Sequence, residues 1–216
     1  MKQGIAVALA FAGLATAAAA AWSTGVVDRP SQASAAAKEE LPTWGGGDRV
    51  FLTKAQLFQA HVEGALDRDV QSVLNVRKRM RYGDFIWNDK QVPQGQVWIR
   101  VDLQRQLISV YRAGHEIGTA VVLYGAEEKE TPDGVFPVIA KMKDHKSATY
   151  GDAPMPYTLR LTNDGVSIHG SDVRWGAATH GCIGVPVEFA HKLFDQVSMG
   201  DQVVIVSHAE PSRLAS

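Results

Sequence analysis

The sequence predicts a mainly β fold, with one clear helix late in the chain and a short helical segment before the β region. From residue 97 onwards, apolar residues alternate or run in short groups between turn residues, which is typical of short antiparallel strands. After Pro186, and again between residues 53 and 80, apolar residues recur at helical spacing.

The first 21 residues have the three-part form of a secretory signal peptide. Met1-Lys2-Gln3 is positively charged, an uncharged alanine-rich stretch follows, and several Ala-x-Ala sites precede Trp22. An uncleaved membrane anchor is the alternative, but about eighteen alanine-rich residues lie at the lower limit for a span. We therefore expect export to the periplasm or cell envelope, with no stable membrane span after cleavage.

Residues 22–48 are predicted to be a flexible linker, because they contain a low-complexity Ser/Ala stretch and three consecutive glycines. Residues 49–95 are predicted to be a helical N-terminal segment that packs against the domain after it. Thr53-Lys54-Ala55-Gln56 has the form of a capping box. The expected helix runs to about Met80, with Gly64 as a candidate break between two helices.

Residues 96–208 form the predicted β domain, and residues 209–216 form a tail. The predicted strands are 97–101, 107–111, 117–124, 135–139, 157–161, 166–168 and 203–206. Thr131-Pro132-Asp133-Gly134 has strong turn chemistry. The late helix has an apolar face that consists of Val187, Ala190, Leu193, Phe194 and Val197, and Gly200 is suited to end it.

The chain contains 22 basic and 23 acidic residues, so its composition predicts neither a basic stripe for nucleic acid nor a polyacidic tail. The residues with the strongest chemical implication surround its only cysteine. Cys182 follows Thr179-His180-Gly181 and lies thirteen residues after His169. A nearby imidazole can lower the pKa of a thiol or accept its proton. An exported chain with one cysteine makes no internal disulfide, so the thiol is predicted to be a nucleophile.

Three other interpretations of these residues remain open. Cys182 could be a small buried hydrophobe, since Ile183 and Val185 would suit a core strand. It could also form an intermolecular disulfide. Zinc is the third possibility, with His169 and His180 as further ligands, but structural zinc usually has four ligands in recognisable pairs. We expect no metal here.

These motifs together resemble the L,D-transpeptidase catalytic domain family (YkuD-like) from about Val97 to Val206. The resemblance rests on His-Gly at residues 169–170, Thr-His-Gly-Cys-Ile at 179–183, Thr-Pro-Asp-Gly-Val-Phe at 131–136 and Met-Pro-Tyr at 155–157. It implies a mainly β catalytic domain with the cysteine in a cleft partly covered by a loop.

The resemblance also implies an exported transferase for peptidoglycan biosynthesis, with roles in cell-wall biogenesis and cell shape. Cys182 would attack the third, diamino-acid residue of a tetrapeptide stem and release D-alanine. An amine on a neighbouring stem would then form a 3→3 cross-link. No cofactor would be needed.

Roles follow residue by residue from the resemblance. His169 would be the general base, and His180 would either tune the site or hold its loop. An extended segment would project His180 and Cys182 to the same side. Backbone N–H groups of Gly181 and Cys182 are the expected oxyanion donors. Gly170 would leave space beside the thiol. The candidates for substrate binding or oxyanion stabilisation are Gly170, Thr179, Gly181 and Arg174.

One position departs from the family pattern. Gly184 stands where the family usually has arginine or asparagine, so a substrate carboxylate could lose its partner. Arg174 could supply that charge, or it could be an ordinary solvated arginine. Water or a lysine of an envelope protein could also replace the amine acceptor. A non-catalytic wall-binding domain is the remaining alternative.

Overall fold

A computed structural model describes residues 47–66, 68–125, 130–148, 151–175, 177 and 179–207 of the 216-residue chain. The predicted signal peptide, most of the predicted linker and the predicted tail lie outside the described residues. The described part contains twelve strands and two helices. In chain order these are β1 (Arg49–Phe51), α1 (Lys54–Val62), β2 (Ser72–Leu74), β3 (Phe85–Trp87), β4 (Val97–Asp102), β5 (Leu107–Arg112), β6 (His115–Val121), β7 (Gly134–Pro137), β8 (Ala140–Lys146), β9 (Pro154–Arg160), β10 (Ser167–Ser171), β11 (Ile183–Pro186), α2 (Val187–Gln196) and β12 (Gln202–Val206).

The described strands form two sheets, which confirms the prediction of a mainly β fold. The first sheet has the order β1-β2-β6-β5-β4-β12-β7, with β3 also paired to β6. The second has the order β11-β10-β9-β8. Most strand pairs are antiparallel, as expected, and three pairs are parallel: β2–β6, β4–β12 and β10–β11. Each of these pairs has a long connection, which allows the chain to return in the same direction.

Helix α2 packs against both sheets and confirms the predicted helix after Pro186. Its Phe189 and Leu193 are buried in one apolar cluster with residues of β4 and β10. The Phe189 ring meets Trp87 edge to face, with centroids 5.4 Å apart. Val187, expected on the apolar face, is exposed. Gly200 does not end the helix, because α2 stops at Gln196 and Gly200, with φ of 91°, lies in the turn before β12.

The segment 49–95 is helical only in part. The capping box is confirmed, since the Thr53 side chain accepts from the Gln56 N–H and the Gln56 side chain accepts from the Thr53 N–H. The helix nevertheless ends at Val62, and Gly64 follows with φ of 64°. Strand β2 and irregular chain replace the rest of the predicted helix, and β3 lies beyond its predicted end. The spacing of the apolar residues led to a wrong prediction of helix, because these residues can also be buried against a sheet by a backbone that is not helical.

Apolar residues of this segment pack against one face of the first sheet. Leu66 and Val70 form a second apolar cluster with Trp98, Tyr111 and Val204. The Trp98 and Tyr111 rings stack with centroids 4.2 Å apart. Strand β4 is therefore buried along its whole length, with apolar packing on both of its faces.

The pairing register of the second sheet positions several candidate site residues. Arg160 of β9 pairs with Ser167 of β10, and His169 lies two residues further along β10 on the same face. Gly184 of the parallel strand β11 pairs with His169. One face of this sheet therefore presents Arg160, Ser167 and His169 beside the start of β11.

Candidate active site

A cavity of about 500 Å³ lies on this face of the second sheet and contains the only cysteine. Four predicted site residues line it: Thr179, His180, Cys182 and His169. The fold thus brings the thiol and both histidines of the sequence motifs to one cavity. This arrangement places a potential nucleophile and potential proton acceptors around a space that can hold a ligand.

Cys182 lies in a bend directly before β11 and is half-buried. Its thiol donates a hydrogen bond to the Gly165 carbonyl, with Sγ and O 3.6 Å apart. The expectation of an extended segment at 180–182 was wrong, because Gly181 has φ of 92° and turns the chain. His180 and Cys182 nevertheless line the same cavity, His180 as an exposed residue at its edge.

Two threonine hydroxyls hold the cysteine loop by its carbonyl groups. The Thr131 hydroxyl accepts from the Gly125 N–H at 2.9 Å and donates to the Gly181 carbonyl at 3.2 Å. The Thr179 hydroxyl donates to the Cys182 carbonyl. Gly181 is buried, and its N–H donates to no acceptor among the described residues. A buried, unengaged N–H beside a nucleophile is chemically suited to stabilise an oxyanion.

His169 is buried within β10, with 8% of its surface exposed. Its Nδ1 lies 3.0 Å from the Gly170 carbonyl oxygen. Because a carbonyl only accepts, Nδ1 carries the hydrogen, and Nε2 of the neutral ring has the free lone pair. Burial lowers the pKa of His169, His145 lowers it further, and the bond to Gly170 partly opposes both. The ring is therefore neutral at neutral pH and able to accept a proton.

Two predicted residues occupy other places. A Cβ on Gly170 would lie 3.0 Å from Pro156 Cγ and 3.3 Å from Val187 Cα. Gly170 thus permits close packing on the face opposite the cavity, and only its carbonyl contributes to the site. Arg174 is largely exposed, pairs with Asp172 at 3.4 Å, and is not among the described residues that line the cavity.

Packing around Gly184 explains why a glycine occupies that position. A Cβ there would lie 3.0 Å from the Cβ of Ser171 and 3.5 Å from that of Leu123. Gly184 also exchanges two backbone hydrogen bonds with Leu123, each 2.9 Å long. Ser171 and Leu123 therefore fill the space that a side chain at position 184 would need.

Sequence reasoning missed three charged or titratable residues that line the cavity: His145, Arg160 and Asp164. Arg160 could have been found, since Tyr157, Leu159 and Leu161 alternate and leave residue 160 on the other face. His145 had no comparable signal, because β8 is mostly polar and was not predicted as a strand.

Within the described residues, no group of three or more His, Cys, Asp or Glu side chains is placed to hold a metal ion. The helices that the structure describes are too short or too polar to cross a membrane.

Comparison with known proteins gives a match to one family. The family model of the L,D-transpeptidase catalytic domain matches residues 96–205 of the 216. No curated protein matches the chain.

Solved L,D-transpeptidase structures are also similar to the chain. An Enterococcus faecium enzyme is 28% identical, with a TM-score of 0.48, over 52% of this chain and 50% of that one. The Stackebrandtia nassauensis structure is 25% identical, with a TM-score of 0.48, over 56% and 60%. The Mycobacterium smegmatis structure is 23% identical, with a TM-score of 0.47, over 52% and 59%. The matched region thus spans half to three fifths of each of these structures.

Proposed function

The chain belongs to the L,D-transpeptidase catalytic domain family, and on that basis we propose that it is a cysteine acyltransferase acting on peptidoglycan stem peptides. The observation that carries the proposal is the shared cavity of Cys182 and His169. A thiol beside a neutral imidazole with a free Nε2 is the minimum requirement for nucleophilic acyl transfer.

In the first proposed step, the sulfur of Cys182 bonds to the carbonyl carbon of the third, diamino-acid residue of a tetrapeptide stem. The thiol proton moves to Nε2 of His169. The bond from that carbon to the nitrogen of terminal D-alanine then breaks, and His169 returns the proton to the departing amine. A thioester between Cys182 and the shortened stem remains.

In the second proposed step, an amine of a neighbouring stem attacks the thioester carbon. The proton of this amine passes to His169, and the Cys182 sulfur leaves as a thiolate that recovers the proton. The product is an amide that forms a 3→3 cross-link. Both steps conserve atoms and electrons without an added oxidant or reductant, and neither uses a cofactor.

Stabilisation of the tetrahedral oxyanion is proposed for the backbone N–H groups of Gly181 and Cys182. The unengaged N–H of buried Gly181 supports this role. Thr131 and Thr179 act as positioning residues, because their hydroxyls hold the carbonyls of the same loop. His180 lies at the edge of the cavity, where it would tune the site rather than accept the first proton.

Export is part of the proposal and rests on residues 1–21, which have the form of a signal peptide. The partners would then be stem peptides of the cell wall, with no nucleic acid.

A direct test incubates the purified protein with tetrapeptide-containing muropeptides and measures product masses. Cross-linked dimers that have lost one D-alanine support transpeptidation, and a trapped thioester on Cys182 supports the covalent step. Cys182→Ala should fold and yield neither product. Release of D-alanine without dimers would indicate a peptidase, and attachment to an added envelope protein would indicate that alternative acceptor. An inert wild-type protein would reject the enzymatic proposal in favour of a wall-binding domain.

A further inference from the structure

We infer that Arg160 forms a carboxylate-binding subsite in the Cys182 cavity and binds a free carboxylate of the donor peptide. The identity of that peptide rests on the proposed function. The affinity of the cavity for a carboxylate does not, and it can be measured without any transpeptidation.

The first argument is the position of Arg160. It is the last residue of β9 and pairs with Ser167, which places it on the same face of the sheet as His169. Arg160, His169 and Cys182 line one cavity of about 500 Å³. A ligand that reaches the thiol therefore lies in the cavity that Arg160 also lines.

The second argument is that the guanidinium is already held in place. Its Nε donates to the Thr162 carbonyl at 3.1 Å, and its Nη2 donates to the Asn163 carbonyl at 2.7 Å. A guanidinium has five N–H donors, so these bonds orient the group and leave others for a ligand. An arginine fixed in this way loses little conformational freedom when it binds a carboxylate.

The third argument is the uncompensated charge. Both partners of Arg160 are neutral carbonyls, and it makes no ion pair with the described residues. In contrast, Arg105 pairs with Asp102 at 2.7 Å and Arg174 pairs with Asp172 at 3.4 Å. The positive charge of Arg160 thus remains available for a carboxylate, with which a guanidinium can form paired hydrogen bonds.

Other charged and titratable groups that line the cavity determine which ligand it suits. Asp164 lies on the turn that Arg160 holds, and its carboxylate accepts from the Thr162 hydroxyl. His145 and His180 also line the cavity. Because the cavity carries both signs, a ligand with a carboxylate and an ammonium group suits it better than one with carboxylates alone. A diamino dicarboxylic acid residue carries both groups on its side chain when it stands within a peptide.

The packing around Gly184 adds a reason for an arginine on β9. A side chain at position 184 would meet Ser171 at 3.0 Å, so a guanidinium cannot enter there without displacing Ser171. Arg160 instead presents a guanidinium from the other neighbour of β10. A cation in this cavity therefore does not require a side chain at position 184.

The first test uses the fact that Cys182 is the only cysteine, so thiol reagents report on this cavity alone. Rates of alkylation by iodoacetate and by iodoacetamide are measured for the wild type, Arg160→Gln and Arg174→Gln. Both reagents react with the same thiolate, so their ratio cancels changes in thiol pKa. In Arg160→Gln we expect the iodoacetate to iodoacetamide ratio to fall about three- to ten-fold at low salt. Arg174→Gln, the matched exposed control, should leave it unchanged.

The second test compares stem peptides with free carboxylates against peptides amidated at the terminal or the side-chain carboxylate. Arg160→Gln should lower kcat/KM for the free peptide about ten-fold or more relative to one amidated form, which identifies the bound carboxylate. Loss of loop structure alone would lower all three values together. Arg160→Lys keeps the positive charge but loses the paired N–H donors of the guanidinium, so it should retain part of the preference for the free peptide. This variant replaces Arg160→Gln in the test if the glutamine variant fails to fold.

The outcomes separate this inference from the proposed function. A shifted alkylation ratio in a protein that makes no cross-links would retain the subsite and reject the transpeptidase. Active cross-linking with both ratios unchanged in the Arg160 variants would retain the enzyme and overturn the subsite. If Arg174→Gln shifts the ratios instead, the carboxylate binds at Arg174 and the inference is also overturned.

Discussion

Two buried histidines of this protein, His169 and His115, have similar electrostatics and different surroundings. Burial is the largest cause of a lowered pKa in both. His169 lies on a cavity that also contains the thiol of Cys182. His115, only 4% exposed, lies where β1 and β2 join β6, in a region packed with polar partners.

The partners of His115 fix its chemistry. Arg49 Nη1 donates to the Ser72 hydroxyl at 3.2 Å, and that hydroxyl lies 2.8 Å from Nδ1 of His115. The Ser72 hydroxyl has one hydrogen and two lone pairs, so it bonds to Arg49 and to Nδ1 of His115 at the same time, and the three side chains form one network. The Glu116 carboxylate accepts from the Leu74 N–H at 2.8 Å, which adds a further link between β2 and β6.

The difference teaches that a lowered pKa does not by itself indicate a catalytic residue. In His169 the nitrogen bound to the protein carries the hydrogen, which leaves the other for chemistry beside a nucleophile. In His115 the Nδ1 atom is hydrogen-bonded to Ser72 in a network that joins strands. The space around the ring separates His169, the proposed base, from the structural histidine His115.

The largest expected effect comes from exchanging each histidine for glutamine. His169→Gln should slow acylation of Cys182 by about a hundred-fold or more, because a positioned proton acceptor is lost. His115→Gln should lower the midpoint of urea unfolding without changing the acylation rate of the folded protein. Stopped-flow acylation and equilibrium unfolding provide the two measurements. Equal effects of both variants on acylation would remove the distinction between the two sites.

Ser72→Ala should destabilise the protein by about 1–3 kcal/mol, because it removes two buried hydrogen bonds, one from Arg49 and one with His115. The effect is measured as the free energy of unfolding in urea. Turnover of the folded variant should match the wild type. A loss of turnover with unchanged stability would show that the network near His115 acts on the active site.

Both lowered histidine pKa values predict that stability falls as the solution becomes more acidic. The folded pKa of each lies below the unfolded value of 6.5, so the unfolded state binds the proton first as pH falls through 6.5. The stabilising contribution is present above pH 6.5 and is lost below it, with a slope of up to about 1.4 kcal/mol per pH unit for each histidine. Urea unfolding between pH 5.5 and 7 measures this slope.

His169→Gln and His115→Gln should each reduce the slope of the unfolding free energy against pH, because each variant removes one titrating histidine. The pH dependence of kcat/KM separates the sites further, because the proposed mechanism requires only His169 to be neutral for acylation. Its acidic limb should have a midpoint below 6.5 and should persist in His115→Gln. If the midpoint of this acidic limb shifts in His115→Gln, the assignment of His169 as the base is contradicted.

The smallest expected effect is at Gly184, the strand partner of His169. Gly184→Ala would place a methyl group 3.0 Å from Ser171 Cβ and should cost about 1 kcal/mol of stability. Ser171→Gly in the same chain should recover most of that loss, because it removes the contact. Thermal unfolding of the two single variants and the double variant provides the measurement. Additive losses would mean that Ser171 is not what excludes a side chain there.

Local patterns in the sequence predicted those features that depend on neighbouring residues. The capping box at Thr53, the strands of the β4–β5 hairpin and the helix after Pro186 are of this kind. The predictions that were wrong concern features that depend on contacts between residues far apart in the chain. The apolar residues between 64 and 80 fit a helix equally well, but burial against Trp98 and Tyr111 decided their backbone instead.

The sequence by itself determined the mainly β class of the fold and the chemical types available to the site: one thiol, two histidines and a glycine-rich loop. Tertiary structure alone decided which groups share the cavity. Parallel pairing of β10 with β11 put Gly184 beside His169, and antiparallel pairing with β9 added Arg160. The physical reason is that alternation along a strand assigns a residue to a face, whereas hydrogen bonding between distant strands determines what lies opposite it.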